Sequence, residues 1–133
     1  MNDSFKKDNE NTNNNSRQVK YVNLVYALDE KNKASQIISN DNANGTIFIP
    51  KLIYFDGIEF IVTNIKTESF KYSQLKSIQF PSDSEVKVIE KDAFIDSQIE
   101  SIIIPPSLSV LEDGWCSGTK HLKKFHFYRP IIN

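Results

Sequence analysis

Three side chains near the end of the chain have the chemistry to bind a metal ion or to act as a nucleophile: Cys116, His121 and His126. Structural zinc normally takes four ligands at tighter paired spacings, and the chain has no second cysteine. A Cys–His nucleophile also requires a third group that orients the base and an oxyanion site, and no motif marks either one. We therefore predict no metal site, no catalytic site and no cofactor, and we expect a non-enzymatic protein.

The composition is typical of one soluble globular domain. The chain has 133 residues, of which 39% are hydrophobic and 25% are charged, so it can bury a modest core. A formal net charge of −1 gives no argument for nucleic acid as a partner. No apolar run approaches the roughly 18 residues of a transmembrane segment, and the N-terminus lacks the apolar stretch of a secretory signal. The location stays open: the protein remains in the cytoplasm, or it leaves the cell by a route that the sequence does not show.

The first half of the chain divides into a polar tail and a strand-rich segment. Residues 1–18 are rich in asparagine and poor in apolar side chains, so we expect them to be disordered and dispensable for folding. Residues 19–62 are predicted to form β-hairpins that cap the rest of the chain. Within them, residues 21–28 are rich in strand formers. The pair Asp56-Gly57 between two strand-forming runs is a strong hairpin signal.

The second half repeats itself after 24 residues. Residues 65–81 and 89–105 are identical at seven of seventeen aligned positions. A looser third copy follows, in which either Trp115 or Cys116 takes the place of Phe94. Self-similarity at this period is typical of solenoids, because one unit cannot close a core around its own apolar side chains and buries them against the next unit. The identical pairs are Ile65 with Ile89, Phe70 with Phe94, Ser73 with Ser97, Gln74 with Gln98, Ser77 with Ser101, Ile78 with Ile102, and Pro81 with Pro105.

Each unit contains one short strand, at residues 75–80, 99–104 and 122–127. Apolar residues occupy offsets 1, 4 and 6, and the last two flank an outward residue, as on a half-buried strand. Proline follows the first two strands and cannot continue a strand ladder. We therefore predict a mainly β fold in which the strands form a ladder. By their repeat positions, Phe94 and Trp115 are expected in the core and not in a ligand site.

The pattern Ile-(x)4-Phe-(x)4-Leu-x-Ser-Ile-x-Phe-Pro, read from Ile65 to Pro81, resembles the BspA-type leucine-rich repeats of bacterial and protist surface proteins. Residues 112–119 resemble a variant repeat of parasitic protists. The resemblance assigns residues 63–128 to the repeats, although Tyr128 stands where the family has proline. Residues 129–133 are then the C-terminal end of an array that is either irregular or truncated. The resemblance implies a curved leucine-rich-repeat solenoid preceded by β-hairpins, a role in adhesion or surface recognition, and a cell-surface location.

The outward side of the strand ladder is the candidate binding face. The alignment places its residues in two rows, and we expect a protein or glycan ligand on them. One row contains two large apolar residues among four, and clustered exposed apolar groups tend to mark contact sites. The alternative is that these positions are merely solvated and that the chain is a structural segment of a longer array with no ligand of its own. The rows are Thr46, Ser77, Ser101 and Lys124, and Phe48, Gln79, Ile103 and His126.

The last strand is expected to leave one edge of the ladder open. No polar unit that would cap this edge follows in the sequence, and Phe125 and Phe127 would be exposed there together with Ile131 and Ile132. Natural proteins protect such edges with charge, proline or a covering element. We therefore predict self-association through this end, or further repeats beyond it.

Overall fold

The computed structural model describes residues 16–127, so the predicted tail up to residue 15 and the predicted C-terminal end from Tyr128 lie outside the described residues. Within residues 16–127 the chain forms two β-sheets. Their strands are β1 (Gln18–Tyr21), β2 (Leu24–Asp29), β3 (Ala34–Asn40), β4 (Asn44–Phe48), β5 (Leu52–Phe55), β6 (Ile58–Ile65), β7 (Gln74–Gln79), β8 (Val88–Ile89), β9 (Ser101–Ile104), β10 (Val110–Leu111) and β11 (Lys124–Phe127).

The two sheets are the two long sides of a solenoid. The first has the order β1-β2-β3-β6-β8-β10, with β5 paired to β6, and the second has the order β11-β9-β7-β4. From β3 onward the chain alternates between the sheets, and the strands that follow one another along the solenoid pair in parallel. In the described part of the chain this gives four turns: β3 with β4, β6 with β7, β8 with β9, and β10 with β11. The predicted mainly β solenoid with a strand ladder is confirmed.

The 24-residue shift seen in the sequence is the register of the middle turns. Ile65 pairs with Ile89 in the first sheet, and Ile78 pairs with Ile102 in the second. The last turn is shorter. Its shift is 22 residues between Ile89 and Leu111, and 23 residues between Ile102 and Phe125 (111 − 89 and 125 − 102). The last turn therefore loses one residue relative to its neighbour on one side of the solenoid and two on the other.

The N-terminal strands differ from the sequence expectation in one place. Residues 21–28 are not one strand, because the chain reverses at Val22 and Asn23 and Tyr21 pairs with Leu24 in an antiparallel hairpin. Val22 has a φ of 58°, which is unusual for a β-branched residue. Order also begins before Val19, since β1 starts at Gln18 and the Arg17 carbonyl accepts a hydrogen bond from the Leu28 amide. The hairpin expected at Asp56-Gly57 is present, with φ of 56° and 75°.

Between the two sheets, the turns are joined by a third set of backbone hydrogen bonds. The Phe70 amide donates to the Ala93 carbonyl at 2.8 Å, and the Phe94 amide donates to the Trp115 carbonyl at 2.8 Å. The chain passes through left-handed backbone at equivalent points of these segments. The residues there are Glu68 and Tyr72, then Asp92 and Asp96, then Gly114 and Gly118. Glycine adopts this conformation without steric cost, so the glycines of the last turn suit the bend that the acidic residues make in the turn before.

Acidic side chains add a polar contact from each turn to the one before. The Glu90 carboxylate accepts a hydrogen bond from the Thr67 amide at 3.1 Å and forms an ion pair with Lys66 at 3.1 Å. Glu112, which follows Leu111 as Glu90 follows Ile89, accepts a hydrogen bond from the Lys91 amide at 2.9 Å. These carboxylates satisfy backbone amides that face the next turn, and they fix the register between turns.

The core is a column of aromatic rings that runs through the repeats. The rings of Phe70 and Phe94 are stacked, with centroids 5.0 Å apart and planes within 3°, and both side chains are fully buried. Trp115 continues the column edge-on to Phe94 at 5.9 Å. The hydrogen-bond pattern shows that Cys116 is the backbone equivalent of Phe94, whereas the Trp115 ring fills the core space beside it. Core packing of Phe94 and Trp115, as predicted, is what the structure shows.

We expect Phe94→Ala to lower the free energy of unfolding by about 3–5 kcal/mol, because it leaves a cavity between two turns. Phe48→Ala is the matched control. It removes the same ring from a side chain that is 69% exposed, so it should cost about 0.5 kcal/mol or less. Urea denaturation of the two variants measures both values. A cost below about 1 kcal/mol for Phe94→Ala would show that the ring column does not hold the turns together.

Candidate binding face

The second sheet has one side in the core and one side in solvent. Its strands alternate, so Ile78 of β7 and Ile102 of β9 are buried while their neighbours point outward. We call the outward side chains of β4, β7, β9 and β11 the ladder face. Its members are Thr46, Phe48, Ser77, Gln79, Ser101, Ile103, Lys124 and His126.

The first predicted row lies in one line across the ladder. Thr46 pairs with Ser77, Ser77 with Ser101, and Ser101 with Lys124. The Thr46 and Ser77 hydroxyl oxygens are 2.8 Å apart and form a hydrogen bond. At the other end of the row Lys124 is exposed. The row therefore consists of small hydroxyl side chains and ends in a positive charge.

The second predicted row contains the exposed apolar residues. Phe48 pairs with Gln79, and Ile103 pairs with His126. Gln79 and Ile103 follow the paired residues Ile78 and Ile102, so the same register carries the row from one pair to the other. Phe48 is 69% exposed and Ile103 is 48% exposed. Two large apolar side chains are therefore exposed on this row, where the sequence places them.

A groove beside β4 was not foreseen from the sequence. It has a volume of about 570 Å³ and lies between the β1–β2 hairpin, β4 and β5. Phe48 forms part of its wall, together with the exposed rings of Tyr21 and Tyr54. We call it the edge groove. The expectation of one continuous strand over residues 21–28 concealed it, because the hairpin at Val22 and Asn23 brings Tyr21 to this position.

Positive charge collects at the opposite end of the ladder. No acidic residue follows Asp113 in the sequence, whereas Lys120, Lys123 and Lys124 lie in the last turn. In the preceding turns the cations and anions are interspersed, as in the pair of Lys76 and Glu100 at 3.7 Å. The ladder face is therefore aromatic and uncharged at its first strand and basic at its last.

The side chains with chemical potential do not form a site in the described part of the chain. Among residues 16–127, no three His, Cys, Asp or Glu side chains are grouped so that they could hold a metal ion. Cys116 is half-buried, and burial raises the pKa of its thiol, although a hydrogen bond with Thr119 opposes this effect. The thiolate is the form that attacks electrophiles and binds metals, so burial disfavours both reactions at Cys116.

Comparison with known proteins decides the family. The family model described as "BspA type Leucine rich repeat region (6 copies)" matches residues 52–133, which is more than half of the chain. This chain belongs to the BspA-type leucine-rich repeat family. The resemblance inferred from the repeat pattern is thereby confirmed. Members of the family and its structural neighbours are generally non-enzymatic repeat proteins, and leucine-rich repeats generally mediate protein binding.

Solved structures show the same fold. The pneumococcal vaccine antigen PcpA aligns with 85% of this chain at 20% identity and a TM-score of 0.57, and the alignment covers 38% of the antigen. A leucine-rich repeat protein from Bacteroides capillosus ATCC 29799 aligns with 84% of this chain at 15% identity and a TM-score of 0.55, over 99% of its own length. This chain thus spans well under half the length of the antigen. No curated protein sequence matches it.

No helix within residues 16–127 is long and apolar enough to cross a membrane.

We expect the Cys116 thiol to react with iodoacetamide only at higher pH than an ordinary cysteine, because the raised pKa keeps it protonated. In the folded chain the pH of half-maximal alkylation rate should lie above that measured for the same chain unfolded in urea. The unfolded chain is the matched control because the thiol is the same. Faster alkylation of the folded chain at neutral pH would contradict this account and revive Cys116 as a candidate nucleophile.

Proposed function

We propose that the ladder face binds a partner protein, and that the module does so at a cell surface. The observation that carries the proposal is the exposure of Phe48 and Ile103 on one row of a regular, rigid sheet. An exposed apolar side chain is unremarkable by itself, but two in one row of a sheet provide apolar area that a partner can bury. The hydroxyl groups and lysine of the adjacent row supply polar contacts at its margin.

The surface location and a role in adhesion rest on the family and on one neighbour. The family resemblance implies surface proteins, and the name of one neighbour describes it as a pneumococcal vaccine antigen. We extend surface recognition to this chain as part of the proposal, with a protein favoured over a glycan because leucine-rich repeats generally bind proteins. We likewise propose that residues 19–62 cap the array and that residues 63–128 are its repeats.

Crosslinked capture from a cell-surface extract tests the ladder face. The double variant Phe48→Ser/Ile103→Ser removes the apolar area from the ladder face. Tyr72→Ser is the matched control, because Tyr72 is 66% exposed but lies on the segment that joins β6 to β7. Proteins that the unaltered chain captures should be lost with the double variant and kept with Tyr72→Ser. The same captured proteins with all three chains would favour the alternative of a structural segment with no ligand on this face.

We also propose self-association through the last turn. Phe125 and Phe127 are 42% and 60% exposed, and their rings are 5.6 Å apart, so an apolar surface is open beyond β11 in the described structure. Trp115 contacts Phe125 at 5.6 Å, which makes this surface the continuation of the core column. A second copy that covers it would bury rings that the next turn of a longer array would bury in the same way.

Sedimentation at micromolar concentration should show dimers, and Phe127→Lys should dissociate them, because a charge buried without a partner is costly. The control is Phe48→Lys, which adds the same charge at the first strand and should leave the dimer intact. A monomer at all concentrations would refute self-association.

A further inference from the structure

The first end of the solenoid is covered on one side only. Beyond β3, the first sheet continues with two more strands, β2 and β1. Among the described residues, β4 is the outermost strand of the second sheet and pairs with β7 alone. The first sheet thus overhangs the second by two strands, or about 10 Å at the usual strand spacing. The edge groove is the space beneath this overhang.

The backbone of β4 presents a regular edge to this space. The Ile49 amide donates to the Gln79 carbonyl at 2.8 Å, so it faces β7. In a strand the amides and carbonyls of successive residues point to opposite edges. The amides and carbonyls of Thr46 and Phe48 therefore point away from β7, towards the edge groove. These groups can accept the backbone of one added strand.

The lining of the edge groove defines the chemistry of that strand. It is formed mainly by rings and aliphatic groups, and no residue that lines it in the described structure carries a charge, although a quarter of the chain is charged. A charged side chain entering the groove would lose water without gaining a counter-ion. The lining thus complements an uncharged segment. Its main apolar members are Tyr21, Leu24, Tyr26, Ile47, Phe48 and Tyr54.

We infer that the edge groove binds an extended, uncharged, apolar peptide segment of a partner protein, which adds as a strand to the free edge of β4. Backbone hydrogen bonds to Thr46 and Phe48 supply the binding of the strand, and the rings of the groove select alternate apolar side chains. This site differs from the ladder face, because the ladder face uses side chains that point out of the sheet and the edge groove uses the backbone edge. The two share the Phe48 ring and the Thr46 side chain, so they are tested with different variants.

Panning of displayed random decapeptides on the full chain tests the inference. Phe48→Pro removes the amide that faces the groove while leaving the Ile49 bond to β7, and a proline is tolerated on a strand edge that faces solvent. Phe48→Ala is the matched control, since it loses the same ring but keeps the amide. Peptides enriched on the unaltered chain should be uncharged and rich in strand formers. They should bind Phe48→Pro roughly threefold to tenfold more weakly than Phe48→Ala, the value of one hydrogen bond.

Amide exchange with the most enriched peptide locates the contact. In the free chain the Phe48 amide should exchange quickly and the Ile49 amide slowly. Saturating peptide should slow the Phe48 amide by roughly tenfold or more while leaving Ile49 unchanged. Ile103→Ser, a change on the ladder face, should leave peptide binding as it was, so failure of the ladder face and failure of the edge groove are distinguishable.

Three results would overturn the inference. The first is enrichment of charged peptides or of none. The second is equal binding by the alanine and proline variants at Phe48. The third is a Phe48 amide already protected in the free chain, which would mean that another occupant holds the edge. Loss of that protection in a chain starting at Ser16 would identify the N-terminal segment as the occupant, and its loss on dilution would identify a second copy.

Discussion

Each turn of this molecule buries its apolar side chains against the next turn, because a single turn has no second layer of its own. The contact between Phe70 and Phe94 expresses this constraint most directly: one ring lies on the other across two turns, and neither is exposed. Trp115 extends the contact into a turn whose backbone equivalent of Phe94 is a cysteine. The hydrogen bonds and acidic contacts between turns follow the same spacing, so stacking sets the register of the whole solenoid.

Because stacking fills the interior, the surfaces available for recognition are the outward face and the two ends. The outward face carries polar side chains in one row and exposed Phe48 and Ile103 in the other. The ends differ from one another. At the first end two extra strands cover one sheet and leave the edge of β4 open, whereas at the last end Phe125 and Phe127 extend the core column into solvent. A module of this kind recognises partners through shape and edge contacts, not through a concave catalytic pocket.

The repeated part of the fold is readable from the sequence, and the irregular parts are not. The pairing of Ser77 with Ser101 follows from identities 24 residues apart, because equivalent residues of stacked turns must lie side by side. The choice between Trp115 and Cys116 could not be made, since the last turn is shortened by different amounts on its two sides. The reversal at Val22 contradicts local preference, because a β-branched residue disfavours positive φ, and only the surrounding strands hold it there. The edge groove depends on that reversal, so it too was hidden.

Native-state hydrogen exchange of individual amides tests the dependence on stacking most directly. The Phe70 amide, which donates to Ala93, lies between two turns that are both covered, whereas the Lys124 amide, which donates to Glu100, lies in the last turn. Stacking predicts that Phe70 exchanges only through global unfolding, and that Lys124 exchanges through an opening that costs less, by roughly 1–2 kcal/mol or more. Equal free energies of exchange at Phe70 and Lys124 would contradict the account, because the uncovered turn would then be as stable as the turns that stacking protects.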